Sequence, residues 1–184
     1  MSAVRRLVLI HGFTERPNMW EDMLTGWSDD TLVISTPSIP GHGNHPEIPV
    51  IRTAESYCEA LLQQIPDDKL PLIVVGHSMG GYLASTLVRM VPDRIQALGF
   101  FHSKAGTDSS EKIEDRKRAK ATAAQNKDLY LATMLRNRVS RGVSNTAFTA
   151  ARMFAVISGL TPCPITIAKP ISDSAANSSL EALM

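Results

Sequence analysis

Four short apolar runs alternate with helix-like segments over the first hundred residues, and this alternation constrains the fold more than any other feature. The runs are LVLI at 7–10, TLVIST at 31–36, LIVVG at 72–76 and IQALGFFHS at 95–103. Runs of this length are typical of strands buried on both faces. Between them, Thr53 can cap a helix and Pro92 stops the next one. The order strand, helix, strand predicts an α/β fold with a parallel sheet.

The segment VVGHSMGGY at residues 74–82 adds a chemical constraint, because a serine stands two positions from a glycine on each side. A serine hydroxyl is a weak nucleophile unless it is exposed beside a base and backbone N–H groups. A sharp turn between a strand and a helix exposes it, and only small residues fit at Gly76 and Gly80. Ser78 is therefore the candidate nucleophile. The alternatives are a turn without chemistry and a phosphate-binding loop, although the latter lacks its lysine.

The segment LVLIHGF at residues 7–13 supports the same chemistry independently. A His-Gly dipeptide after a strand lets the next backbone N–H, here that of Phe13, point into the site. Together with the N–H of Met79, it predicts an oxyanion hole with two donors.

The segments LVLIHGF, IPGHGNHP and VVGHSMGGYLA resemble the α/β-hydrolase fold superfamily, especially small bacterial members of the serine-esterase type. The resemblance covers about residues 7–138, and LGFFHSKAGTDSSEKIEDRKRAKA resembles the start of their helical cap. It implies a three-layer α/β/α core and a Ser-His-Asp/Glu esterase, or a relative that cleaves a thioester, lactone or C–C bond. Ser38 stands where such proteins usually carry a structural Asp.

The expected base is missing from its usual place. In this superfamily the acid and the histidine follow the serine along the chain, but His102 is the only histidine after Ser78. His102 ends the fourth predicted strand and is either a substitute base or a residue that lines the site. Asp173 is a weak candidate for the acid. His11 and His42 are expected to orient loops.

The chain changes character after about residue 138. Residues 139–184 hold only five Lys, Arg, Asp or Glu side chains and show no strong helix or strand period. We therefore predict a hydrolase core with the start of a cap at 1–138, and an atypical tail at 139–184 in which C-terminal strands are missing or degraded. Three hypotheses stay open: a serine hydrolase with its base supplied otherwise, a binding protein that has lost turnover, and a frame-shifted or truncated hydrolase.

Composition and net charge limit the classes of molecule that the protein is expected to bind. Hydrophobic residues make up 43% of the chain and charged residues 20%, as in a globular protein, and a net charge of +1 argues against binding nucleic acid. No apolar run is long enough to span a bilayer, and the two cysteines are not in metal-binding spacing. The N-terminus lacks a signal-peptide pattern. We expect a cytoplasmic protein with a small ester-like substrate, no cofactor, no metal, no nucleic acid and no membrane; the sequence leaves the oligomeric state open.

Overall fold

The computed structural model describes residues 4–140 except 44, 46 and 107, without the side chains of 135 and 137–140. Within this part the chain forms two compact units that meet in sequence at Asp108 and Ser109. The first unit carries the sheet and the second consists of two helices. The predicted tail at 139–184, with Asp173, lies outside the described residues apart from its first two positions.

Four parallel strands form one sheet in the first unit. They are β1 (Arg5–Ile10), β2 (Leu32–Ser35), β3 (Leu72–His77) and β4 (Ile95–Phe101). Their order across the sheet is β2-β1-β3-β4, with every neighbouring pair parallel. The predicted α/β class with a parallel sheet is confirmed.

Three helices connect these strands and two form the second unit. They are α1 (Glu21–Leu24), α2 (Ala54–Leu62), α3 (Met79–Met90), α4 (Ser110–Gln125) and α5 (Lys127–Ser140). A 3₁₀ turn at Pro17–Trp20 leads into α1. Asn126, which has an extended conformation (φ −151°, ψ 92°), separates α4 from α5.

The core lies around the two central strands. The side chains of Leu7, Leu9 and Ile10 on β1 are fully buried, as is Leu72 on β3. Both faces of these strands are covered, which explains why their sequences are continuous apolar runs and not alternating ones. Helix α3 packs on β3 and β4 and is buried along most of its length.

From the two central strands, the strand order proceeds outward in opposite directions. The chain passes from β1 outward to β2, and from β3 outward to β4 on the other side. The carboxyl ends of β1 and β3 therefore flank a topological switch point, the place where open α/β sheets bind ligands. None of the helices in the described part is both long and apolar enough to cross a membrane.

Candidate active site

Ser78 occupies a strained turn between β3 and α3. Its backbone has φ 51° and ψ −113°, outside the regions that residues with a side chain readily adopt. Two hydrogen bonds from the β4 side fix this turn: the Ser78 N–H donates to the Phe101 carbonyl at 3.1 Å, and the Ser103 hydroxyl donates to the Ser78 carbonyl at 2.8 Å. The turn is therefore held by the neighbouring strand as well as by its own sequence.

The glycines around Ser78 permit close contacts between backbones. A Cβ atom on Gly76 would lie 2.2 Å from the Gly80 carbonyl oxygen. A Cβ atom on Gly80 would lie 2.4 Å from the Ile10 carbonyl oxygen and 2.5 Å from that of His11. The first glycine lets α3 turn back tightly on β3, and the second lets the start of α3 press against the end of β1.

The loop after β1 lies directly beside Ser78. Ile10 pairs with Gly76 in the sheet, and continuing this register by two residues brings Gly12 beside Ser78. A Cβ atom on Gly12 would be 3.1 Å from the Ser78 Cβ, which shows that the two turns touch. Met79 is the first residue of α3, and an amide at that position has no acceptor within its helix.

A model of the alpha/beta hydrolase family matches residues 7–168 of this chain. The chain belongs to the alpha/beta hydrolase family. It is 38% identical over 92 residues to a pimeloyl-[acyl-carrier protein] methyl ester esterase from Aromatoleum aromaticum, covering 50% of this chain and 34% of that protein. It is 32% identical over 111 residues to lipase LipV from Mycobacterium tuberculosis, covering 59% and 41%.

Among solved structures, the chain is similar to a thermophilic esterase from Thermogutta terrifontis, with a TM-score of 0.64 and 22% sequence identity over 99% of this chain and 64% of that one. An extracellular alpha/beta-hydrolase from a Paenibacillus species gives a TM-score of 0.54 at 24% identity, covering 66% and 53%. These likenesses show the fold. The chain spans between a third and a half of the two curated relatives named above.

His102 directly follows β4, whose last residue, Phe101, pairs with His77, the residue before Ser78. His102 is exposed, has a positive φ of 47°, and places its ring 4.7 Å from that of Phe101 and 6.0 Å from that of His77. His102, the alternative base considered from the sequence, thus lies near His77, the residue before Ser78.

A carboxylate that the sequence did not single out also reaches the site. The Glu15 Oε2 atom lies 2.7 Å from the His77 Nδ1 atom and accepts a hydrogen bond of 2.7 Å from the Gly12 N–H. Glu15 and His77 are 62 positions apart, and no local pattern relates them. Only the parallel pairing of β1 with β3 brings them together.

His11 connects two loops beneath the site. Its Nε2 accepts from the Ile39 N–H at 3.0 Å, and its Nδ1 lies 2.9 Å from the Gly12 carbonyl oxygen, which can only accept. The ring therefore carries its proton on Nδ1. Burial lowers the pKa of His11, which favours this neutral form.

His42 and Ser38 hold the loop after β2. The His42 Nδ1 lies 3.1 Å from the Pro40 carbonyl oxygen, and burial lowers the pKa of this histidine too. The Ser38 hydroxyl donates to the His42 carbonyl at 2.9 Å, and Gln64 bonds both backbone groups of Ser38. The serine that replaces the family's usual Asp thus still serves the loop structure.

Within the described residues, no group of three or more His, Cys, Asp or Glu side chains is placed to hold a metal ion. Cys58 is fully buried, and burial raises the pKa of its thiol. Its Sγ lies 3.3 Å from the Leu83 carbonyl oxygen, so it packs between α2 and α3 and takes no part in the site.

Proposed function

We propose that this chain is a serine hydrolase of small carboxylic esters or related acyl substrates, with Ser78 as its nucleophile. The observation that carries the proposal is the strained turn at Ser78, between a buried strand and a helix. Such a turn holds a hydroxyl outward at the carboxyl edge of the sheet. The two relatives named above are an esterase and a lipase, which supports ester hydrolysis as the reaction class.

Backbone strain is concentrated at this edge of the sheet. Four non-glycine residues in the described part have a positive φ, and three of them follow β1, β3 and β4 directly or closely: Thr14, Ser78 and His102. Strained backbone of this kind clusters at functional sites, because the surrounding structure must hold it in place. Three adjacent strand ends carrying such residues support the assignment of this edge as the site.

In the proposed reaction the Ser78 hydroxyl attacks the ester carbonyl carbon. A base takes the hydroxyl proton, and the carbonyl oxygen becomes an oxyanion that accepts from the Phe13 and Met79 N–H groups. The protonated base gives this proton to the departing alkoxide, which leaves as an alcohol. The base then deprotonates a water molecule that attacks the acyl-Ser78 carbonyl, and the acid leaves as the proton returns to the Ser78 oxygen. The candidates for the base are His102, which directly follows β4 and is the last histidine in the given sequence, and hydroxide from the solvent.

A fluorophosphonate probe tests the nucleophile. We expect the probe to label the wild-type chain at Ser78, shown by mass spectrometry of the modified peptide, and to leave Ser78→Ala unlabelled. Ser85→Ala is the matched control, because Ser85 lies on the same helix and its buried hydroxyl donates to the Gly81 carbonyl. Equal labelling of wild type and Ser78→Ala would overturn the proposal.

The same probe tests the base. If His102 takes the serine proton, His102→Ala labels more slowly than wild type while its far-ultraviolet circular dichroism is unchanged. Wild-type labelling in that variant would remove His102 from the mechanism. A chain that binds ester analogues but is never labelled would favour the second candidate function, a binding protein. The cytoplasmic location predicted from the sequence is part of this proposal and is tested by fractionating cells that express the chain.

A further inference from the structure

A carboxylate and an imidazole meet beside Ser78, and the reaction proposed above uses neither of them. Glu15 and His77 bond to each other through Oε2 and Nδ1 at 2.7 Å, with side chains only 14% and 15% exposed. An ionised carboxylate can only accept, so Nδ1 carries the proton of this bond. A partly buried bond of this kind between a charged and a polar group is among the stronger ones in proteins.

The pair lies at the junction of the two turns that form the site. A Cβ atom on Gly12 would lie 2.7 Å from the Glu15 Oε2, 3.0 Å from the His77 Nδ1 and 3.1 Å from the Ser78 Cβ. The carboxylate, the imidazole and the serine therefore surround the same point. Glu15 belongs to the loop after β1, whereas His77 is the last residue of β3, so their bond ties one turn to the other.

The Glu15 carboxylate also closes the loop that contains Phe13. Its Oε2 accepts from the Gly12 N–H at 2.7 Å, and the Glu15 N–H donates to the Gly12 carbonyl at 3.2 Å. Between these two residues, Thr14 has a left-handed backbone with φ 62°, which a residue with a branched side chain adopts only under restraint. The two bonds between Gly12 and Glu15 supply that restraint, and they fix the backbone on both sides of Phe13.

From these contacts we propose that Glu15 and His77 are positioning residues for the oxyanion hole. They hold the Phe13 amide at a fixed place relative to Ser78, and Glu15 does so through two partners at once, the Gly12 amide and the His77 ring. This inference rests on the proposed function, in which the Phe13 amide stabilises the oxyanion. Neither residue needs to touch the substrate, because each acts through the loop backbone.

A positioning role affects the rate of reaction more than the binding of the ground state. Displacing a reacting or stabilising group by about 1 Å can slow an enzyme step about 100-fold. An amide that stabilises only the developing oxyanion contributes to the transition state and little to initial binding. The loss of Glu15 should therefore reduce the maximal labelling rate by a fluorophosphonate and leave the half-saturating probe concentration nearly unchanged.

The test compares Glu15→Ala, Glu15→Gln and His77→Ala with wild type in two measurements. The first is the labelling rate of Ser78 as a function of fluorophosphonate concentration. The second is amide hydrogen exchange in the peptide that contains Gly12 and Phe13, which needs no activity. Asp68→Ala is the matched control, since it also removes a carboxylate, in this case one that binds the buried cation Arg6. Asp68 precedes the amino-terminal end of β3, whereas Ser78 follows its carboxyl end.

We expect the maximal labelling rate to fall by about 10- to 100-fold in Glu15→Ala. Exchange at Gly12 should become faster in the same variant. Glu15→Gln should restore much of the labelling rate and much of the protection of the Gly12 amide, because its amide oxygen can still accept from the Gly12 N–H. The labelling rate of His77→Ala should lie between those of wild type and Glu15→Ala. Asp68→Ala should be less stable than wild type but should be labelled at the same rate.

Three outcomes would overturn the inference. They are a wild-type labelling rate in folded Glu15→Ala, unchanged exchange at Gly12 in that variant, and a Glu15→Gln variant no better than Glu15→Ala. The first of these leaves Ser78 as the nucleophile, so the proposed function stands. A wild-type chain that is never labelled overturns both the hydrolase function and the positioning role for the oxyanion hole. In that case the exchange rate at Gly12 still shows whether Glu15 holds the loop.

Discussion

At the scale of single residues, the site depends on positions where a Cβ atom has no room. Gly76 faces the Gly80 carbonyl, and Gly80 faces the Ile10 and His11 carbonyls. Because these neighbours are backbone atoms, they cannot rotate away as a side chain would. A methyl group at either position therefore pushes α3 away from the sheet and moves the turn that carries Ser78.

The substitution Gly80→Ala tests this requirement. Overpacking a tight site typically lowers the free energy of unfolding by about 1–3 kcal/mol, and we expect a loss in that range together with slower fluorophosphonate labelling of Ser78. Urea unfolding followed by circular dichroism gives the first quantity. Gly106→Ala is the control, because nothing lies within 4 Å of a Cβ built there. Equal stability of the two variants would contradict the steric argument.

His11 illustrates how one tautomer can hold two loops. Its Nε2 accepts from the Ile39 N–H while its Nδ1–H donates to the Gly12 carbonyl. A proton on Nε2 would point at the Ile39 N–H, so that two donors would face each other, and it would place a charge in a buried site. Burial, the main cause, lowers the pKa of His11 below its ordinary value.

This shift predicts that the free energy of unfolding depends on pH. The unfolded chain binds a proton at His11 near pH 6.5 while the folded chain does so only at lower pH, so the contribution of His11 is fully present above about pH 6.5 and is lost as the pH falls below it. His42 acts in the same direction, since burial lowers its pKa as well. Urea midpoints should be higher at pH 7.5 than at pH 5.5.

The variant His11→Gln separates the two histidines. It should be less stable than wild type at pH 7.5, because the bond to the Ile39 N–H is altered, but it should lose less stability on going to pH 5.5. A wild-type midpoint that does not change over this range, or a variant with the same pH dependence as wild type, would show that His11 is not held neutral.

At the scale of elements, helix α2 begins with a reciprocal cap. The Ser56 N–H donates to the Thr53 hydroxyl oxygen at 3.2 Å, and the Thr53 N–H donates to the Ser56 hydroxyl oxygen at 3.1 Å. Two of the N–H groups at the start of the helix are thereby satisfied. The cap fixes where α2 starts, and so places the buried face of Tyr57, Cys58 and Leu61 against the core.

Removing this cap should destabilise the fold measurably. Thr53→Ala is expected to lower the free energy of unfolding by about 1 kcal/mol, the usual effect of losing a threonine N-cap. Thr122→Ala on α4 is the matched control, because its exposed hydroxyl only bonds back to the Arg118 carbonyl and its removal should be nearly neutral. A larger loss in Thr122→Ala than in Thr53→Ala, measured by urea unfolding, would contradict the capping argument.

At the scale of the whole molecule, the sheet order brings three strand ends to one edge. The strand order β2-β1-β3-β4 sets the loop of Phe13, the turn of Ser78 and the position of His102 side by side. The same chain contains no histidine after residue 102, where the superfamily it resembles carries its base. The candidate nucleophile and the loop of one proposed oxyanion donor are thus neighbours, and His102 is the last histidine in the given sequence.

We therefore predict that the 184-residue chain hydrolyses p-nitrophenyl acetate only slowly, with a rate that rises with pH as hydroxide takes the role of the base. Loss of the histidine from the serine triad of subtilisin reduces turnover by about 10⁶-fold. The oxyanion hole and substrate binding still give a rate about 10³–10⁴ times that of the reaction in water. The measurement is a pH–rate profile of wild type beside Ser78→Ala. A turnover on the order of 10 s⁻¹ that Ser78→Ala abolishes would show that a histidine does serve the site, with His102 the first to test.

Local sequence determined most of the elements. The apolar runs at 7–10 and 72–76 form the buried central strands, those at 31–36 and 95–103 contain the flanking strands β2 and β4, and Thr53 and Pro92 mark helix boundaries through a side-chain cap and a missing N–H. The first connection contains only a 3₁₀ turn followed by the four residues of α1. The glycine spacing around Ser78 predicted a sharp turn between a strand and a helix, and the structure adds the strain at Ser78 and the two hydrogen bonds from the β4 side that hold it.

Tertiary structure alone decided which groups meet at the site. Glu15 and His77 are 62 positions apart, and neither lies in a pattern that predicts the other. Their bond exists because β1 and β3 pair in a register that sets Gly12 beside Ser78. The neutral state of His11 likewise depends on Ile39, which is 28 residues away. Local sequence fixes backbone conformation over a few residues, whereas contacts between strand ends and the burial that shifts a pKa arise only once the sheet has formed.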